Sequence, residues 1–242
     1  MRLIPGLVLV SAAVALLTLP EQGRPAPAPK DESAGPITPA QLKESGKNLL
    51  QVALAFHNYN DTYGTLPTNL LSKDNKPLLS WRVQILPLIE QGELYHQFKL
   101  DEPWDSDSNK KLIAKMPKLY APVRVKADAG KTFYQAFGGS HGWLKTGARL
   151  PASFPDGMSN TLLVAEAAKP VVWTKPEDLV FDGKDVPALG GLFDGRFHAA
   201  MADGSVKRFR KGIDAAVLKL LIDPADGNPL PSDIGVEAEV QR

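Results

Sequence analysis

Apolar positions recur every seven residues from Leu42 through Leu49 and Phe56 to Tyr63, and Val52 and Ala53 fill the same stripe. That spacing predicts one amphipathic helix of about six turns. Thr38-Pro39-Ala40-Gln41 marks its start, with a capping-box threonine, proline at the first helical position and glutamine at the third. Gly64 is a natural C-terminal stop. Ser80 then predicts a short helix interrupted by Pro87, followed by another over about Gln91 to Phe98. Asp107 or Ser108 is expected to cap a further helix through Ala114. Beyond Pro117 the period changes to that of strands. Lys131 to Phe137 has strand composition, and Asp156-Gly157 is a turn before a buried strand over Thr161 to Ala167. "VVWTKPEDL" supplies another short strand, and two more flank Asp203-Gly204, which reads as a type I′ hairpin. A short helix in "IDAAVLKLLID" closes the pattern.

The two ends carry a different pattern. Leu3 to Leu19 is almost wholly apolar, follows Met1-Arg2 and stops at Pro20, so residues 1–20 are expected to be a signal peptide or membrane anchor. Ala26-Pro27-Ala28 offers the small residues of a cleavage site, although Pro29 follows it. An uncleaved run of this length just suffices for a single membrane anchor. The expected location is therefore exported: periplasmic, cell surface or extracellular. Residues 21–37, rich in Pro, Ala and charge, read as an extended linker. Residues 38–222 form the folded domain, and 223–242 read as a flexible C-terminal tail. A net charge of +1 gives no field for nucleic acid, and the lack of cysteine excludes disulfides and thiol chemistry.

The densest polar stretch is "AFHNYNDTYGTLP", Ala55 to Pro67, at the end of the long helix. His57 and Asp61, four apart, are expected to be a surface hydrogen-bonded pair. The sharper alternative, a metal site, lacks a third ligand nearby, and His96, His141 and His198 carry no H-E-x-x-H pattern. Asp105, Asp107 and Asn109 alternate as at the start of a calcium loop, but Lys110 and Met116 stand where glycine and glutamate are needed. Gly157-Met158-Ser159-Asn160-Thr161 lacks the last glycine of a nucleophile elbow. Glu166 and Glu177 are the one carboxylate pair considered for hydrolysis, and Arg124 and Lys126 form a local basic cluster. No catalytic residue, cofactor or metal is therefore assigned. Trp104, Trp143, Trp173, Tyr59 and Tyr63 are candidates for stacking against a carbohydrate or other solute, with the hydrophobic core as their bland alternative.

Six segments in order, from about Leu42 to Phe209, resemble the planctomycete-type domain-of-unknown-function 1559 family, whose members look like prepilins. They are "LLQVALAFHNYNDTYGTLP", "SWRVQILPLIEQ", "PWDSDSN", "DGMSNTLLVAEA", "WTKPEDL" and "GGLFDGRFHAAMADGSVKRF". The motif residues are His57, Asn58, Tyr59, Tyr63, Gly64, Trp81, Pro103, Trp104, Asp105, Asp156, Gly157, Ser159, Asn160, Thr161, Glu166, Trp173, Asp203 and Gly204. The resemblance implies an α+β, pilin-like fold: a long N-terminal amphipathic helix packed on an antiparallel β-sheet, with short helices and long loops. It implies no activity. The chain departs from the family in its signal-like start, which lacks the glutamate-bearing stem, in Phe193 where the H-x9-DG histidine would fall, and in its missing cysteines. The expected role is an exported, non-enzymatic binding or scaffold module with an unknown envelope or surface partner. Filaments are not expected, because prolines separate the apolar run from the helix. A carbohydrate- or solute-binding protein and a carboxylate-dependent hydrolase are the alternatives.

Overall fold

The computed structural model describes residues 35–237. The signal or anchor segment, linker residues 21–34 and residues 238–242 lie outside the described residues. The long helix, α1, spans Pro39–Tyr63. Its capping box is reciprocal: Thr38 Oγ1 accepts from the Gln41 N–H at 3.3 Å, and Gln41 Oε1 accepts from the Thr38 N–H at 3.0 Å. Gly64, left-handed at φ 71°, ends it by donating to Asn60 O. Ser45, Leu49, Val52, Ala53 and Phe56 are buried, and Ala55 joins them. Tyr63, at the end of the seven-residue repeat, is exposed.

A small hairpin, β1 (Leu70–Leu71) with β2 (Pro77–Leu79), leads into α2 (Trp81–Gln84), which Ser80 caps. The α-helix stops before Pro87, as expected, and Pro87 sits in the first turn of a 3-10 segment, Leu86–Ile89, before α3 (Gly92–Tyr95). The expected helix after Asp107 is a 3-10 segment, Asn109–Lys115, with no side-chain cap. The Asp107 carboxylate instead accepts from Lys110 Nζ at 2.9 Å, which removes it from the capping position.

The main sheet contains β3 (Lys131–Gly138), β4 (Leu162–Val172), β5 (Leu179–Val180), β6 (Phe197–Met201) and β7 (Val206–Phe209), in the order β5-β3-β4-β6-β7. All neighbours are antiparallel except β3 and β5, which run parallel, so the sheet is mixed. The class is α+β. Helix α1 lies chiefly over β6, and also meets β7 and β4. Phe56 enters the core between Trp81 and Trp143, edge-on to both rings at 4.9 and 5.6 Å. Every residue from Leu162 to Ala168 is buried, so this part of β4 is covered on both faces and any polar side chain there must find a partner in the interior.

One turn and the tail differ from the sequence reading. The β6–β7 hairpin is not type I′, which needs two residues with positive φ. Gly204 has φ 86° and Asp203 does not have a positive φ. Met201 N–H donates to Ser205 O and Gly204 N–H to Met201 O, which is the three-residue loop with a left-handed glycine. An Asp-Gly dipeptide suits both turns, so composition alone does not separate them. Helix α4 (Ala215–Ile222) is capped by the Asp214 carboxylate. Residues 223–237, read from sequence as a flexible tail, return to the sheet. Val236 bridges Phe209, and the Arg210 and Glu237 N–H groups donate to Gly235 O and Arg208 O, both at 2.8 Å.

Candidate functional site

The motif residues gather in three hydrogen-bonded clusters. The first lies between α1 and the centre of the sheet. Glu166, on the buried part of β4, has no exposed surface. One of its oxygens accepts from the His198 N–H at 2.7 Å, and its other oxygen accepts from the Ser45 hydroxyl. His198 Nδ1 lies 3.2 and 3.3 Å from the two oxygens. Ser45 Oγ also meets Tyr134 OH at 3.0 Å. Burial, and then the Glu166 charge, push the Tyr134 phenol well above its ordinary range. Serine, glutamate and histidine here resemble the ingredients of a hydrolytic triad. Their wiring differs: the serine and histidine both bond to the carboxylate, and the group is sealed beneath the helix. It acts as a clamp joining α1 to β3, β4 and β6. Glu177 is exposed and pairs with Lys175 at 2.6 Å, so the two glutamates of the hydrolase reading occupy different environments.

The second cluster is centred on Asp178. Oδ1 accepts from Trp81 Nε1 at 3.0 Å, from Arg82 Nη2 at 2.8 Å and from the Ala136 N–H at 3.0 Å. Oδ2 accepts from Asn69 Nδ2 at 3.0 Å. Arg82 is wholly buried, and it also donates to Tyr134 O and Ser80 Oγ. A buried ion pair is tolerable when its remaining donors and acceptors are satisfied, as these are. The "SWR" and "PED" motifs are thus two halves of one interior joint. Nearby, Asn109 pins the "PWDSDSN" turn by donating to Lys99 O, Glu102 O and Pro103 O while accepting from the Lys99 N–H. Asp105 stays exposed.

The third cluster is at the end of α1. His57 does not form the expected surface bond with Asp61. It faces inward against the hairpin, where a Cβ on Gly204 would lie 3.2 Å from its Nε2. That nitrogen is buried and has no hydrogen-bond partner among the described residues. The hairpin leans on the loop before β4: Asp203 N–H donates to Met158 O, Ala202 N–H to Thr161 O, and Lys207 Nζ to Ser159 O. Within that loop, Asn160 Nδ2 donates to Asp156 O and the Thr161 hydroxyl to Gly157 O, while the Asp156 carboxylate receives the Gly227 N–H. Gly157 carries φ 104°.

The aromatic candidates divide. Trp81, Trp143 and Trp173 are fully buried, with the indole N–H of Trp143 donating to Leu163 O and that of Trp173 to Ile113 O. Trp104 is half-buried beneath Lys175 Nζ, 5.6 Å from its ring centre. Tyr59 and Tyr63 form the solvent-reaching pair, 4.5 Å between ring centres, with Tyr59 OH donating to Gln84. Asn58 is exposed beside them. Among the remaining histidines, His141 Nδ1 meets Asp223 at 2.6 Å and His96 lies edge-on to Tyr95. Arg124 is held by Asp194 and by Leu192 O, whereas Lys126 is exposed.

Ser45, Asn69, Arg82, Asn109, Tyr134, Asp178 and His198 were not singled out from sequence as members of these clusters. The one available signal was polarity inside apolar runs, as with Arg82 between Trp81 and Val83. No group of three or more potential metal ligands occurs among the described residues, and none of their helices is long and apolar enough to cross a membrane. Residues 44–150 match the family model described as a protein of unknown function, DUF1559. No curated protein and no solved structure matches the chain.

Proposed function

From the membership of this chain in the DUF1559 family, carried by residues 44–150, we propose an exported, pilin-like, non-enzymatic module that binds or scaffolds at the cell envelope or surface. The supporting observation is the use to which the interior polar groups are put. Glu166, the carboxylate considered for hydrolysis, is enclosed and engaged by Ser45 and His198, which suits a rigid head more than a reaction centre. The apolar run Leu3 to Leu19 supports export. Pro25, Pro27, Pro29 and Pro36 precede α1, and proline inside a helix costs about 3 kcal/mol. A continuous stem of the kind that bundles in a filament is therefore disfavoured, and the module acts singly or as a small assembly. Sedimentation and electron microscopy of the exported protein test this: a discrete small species is expected, and ordered filaments of this chain would overturn it.

A solute-binding reading has one specific observation in its favour, the exposed Tyr63 ring set against Tyr59. Thermal shifts across a sugar and peptide panel test that reading. A shift that disappears in Tyr63→Ala is the expected mark of it.

A further inference from the structure

The returning segment 233–237 lies on an edge that would otherwise be open. β7 ends the sheet, and an end strand presents unpaired N–H and C=O groups to any extended chain. The chain covers them with its own "DIGVE", through the Phe209–Val236 bridge and the two backbone bonds at Arg208 and Arg210.

The side chains add a charge pattern. Arg210 binds Asp233 through both guanidinium ends, at 2.9 and 2.8 Å. Glu237 takes Arg208 Nε at 2.7 Å on one oxygen and Arg196 Nε at 3.1 Å on the other. The acidic residues stand four apart and meet Arg208 on β7, Arg210 just after it and Arg196 just before β6. Between them, Gly235 has φ 82°, and a Cβ there would come within 2.7 Å of Ile213. The register therefore demands acid, spacer, glycine, spacer, acid. Beyond these bonds the segment is held by Leu230 and Ile234, which pack against the core, while Val236 is 39% exposed and the rest of residues 228–232, "NPLPS", is exposed.

We propose that the β7 edge, with Arg196, Arg208 and Arg210, is a docking site for an extended acidic segment of a partner protein with the pattern Asp-x-Gly-x-Glu, and that residues 233–237 occupy it in cis as a displaceable stand-in. Strand addition supplies the backbone affinity, and the arginine pairs supply the selectivity. This rests on the reading of the protein as a binding module and gives that module a partner chemistry. Filament formation or turnover would remove the broader reading without changing the peptide result below.

The test uses the full chain and a fluorescent peptide of residues 230–237. Two variants release the internal segment by different means: Gly235→Val by steric exclusion, and the double variant Asp233→Lys, Glu237→Lys by charge. At least one is expected to bind the peptide tenfold or more tightly than the wild type, with affinity falling as salt rises and lost on Arg210→Glu. A peptide keeping only the Asp, Gly and Glu at their spacing should bind comparably, and one with lysines at the acidic positions should not. Failure of both variants to exceed the wild type overturns the proposal. So does binding of the lysine peptide, or binding restricted to the native sequence, which would make the segment a dedicated structural strap.

Discussion

At the scale of single residues, Gly204 and His57 offer the sharpest test of how the motifs work. The hairpin needs a left-handed residue at 204, and the imidazole of His57 sits where a side chain would emerge. Gly204→Ala therefore meets two penalties, left-handed strain of about 1–2 kcal/mol and the close approach to Nε2. His57→Ala removes only the second. The double variant is expected to recover part of the loss, giving a coupling of about 0.5–1 kcal/mol in a double-mutant cycle read by urea unfolding. Strict additivity would show that His57 and the hairpin are energetically independent. The result also bears on the opening polar stretch, whose histidine belongs to a packing contact rather than to a surface pair with Asp61.

At the scale of elements, the clamp of Ser45, Tyr134, Glu166 and His198 holds α1 onto the sheet, and its phenol gives a pH test. The sign follows from the raised Tyr134 value: the fold favours the protonated form, while the unfolded chain releases this proton near the ordinary tyrosine value of 10. The contribution is complete below that pH and is lost as pH rises above it. Tyr120, buried with its hydroxyl donating to Arg82 O, acts in the same direction. Thermal melts are expected to be unaffected by these groups at neutral pH. Above about pH 10 they should fall, with each phenol contributing up to about 1.4 kcal/mol per pH unit. Tyr134→Phe should lower stability at neutral pH through loss of the Ser45 contact, yet make the alkaline slope shallower. An unchanged slope would contradict this account. Elements themselves were legible where their signals are local. The cap at Thr38, the stop at Gly64 and the strand Lys131 to Phe137 each follow from a few adjacent residues. The clamp was not legible, because Ser45 and Glu166 are 121 positions apart and no periodicity links them. The return of residues 223–237 was hidden for the same reason: its polar, proline-containing composition suits a loose end, and its place comes from distant partners, the β7 edge, the core beneath Ile234 and Arg196, Arg208 and Arg210.

On the scale of the whole molecule, the α+β class was readable from one long helical period followed by short strands, but the order of the sheet was not. β5 enters at the edge in parallel because Asp178, just before it, is tied to Arg82 and Ala136, and a contact of that range leaves no local trace. The position of Asp178 has a further consequence for what counts as a unit of this protein. The family match ends at residue 150, before β4, β6 and β7 begin. A fragment of residues 44–150 would lose β4, β6 and β7, the strands over which α1 lies, and would keep the Arg82 guanidinium without its carboxylate. Removing one partner of a buried pair costs about 3–5 kcal/mol, comparable to the low end of a domain's whole stability. The fragment is expected to show no cooperative melt by circular dichroism and rapid cleavage by proteases, while residues 35–237 melt as one transition. A cooperatively folded fragment would refute this. The stretch that the family model matches and the stretch expected to fold are thus different lengths of the same chain, and the shorter one is expected to take its shape only in the company of the half that follows it.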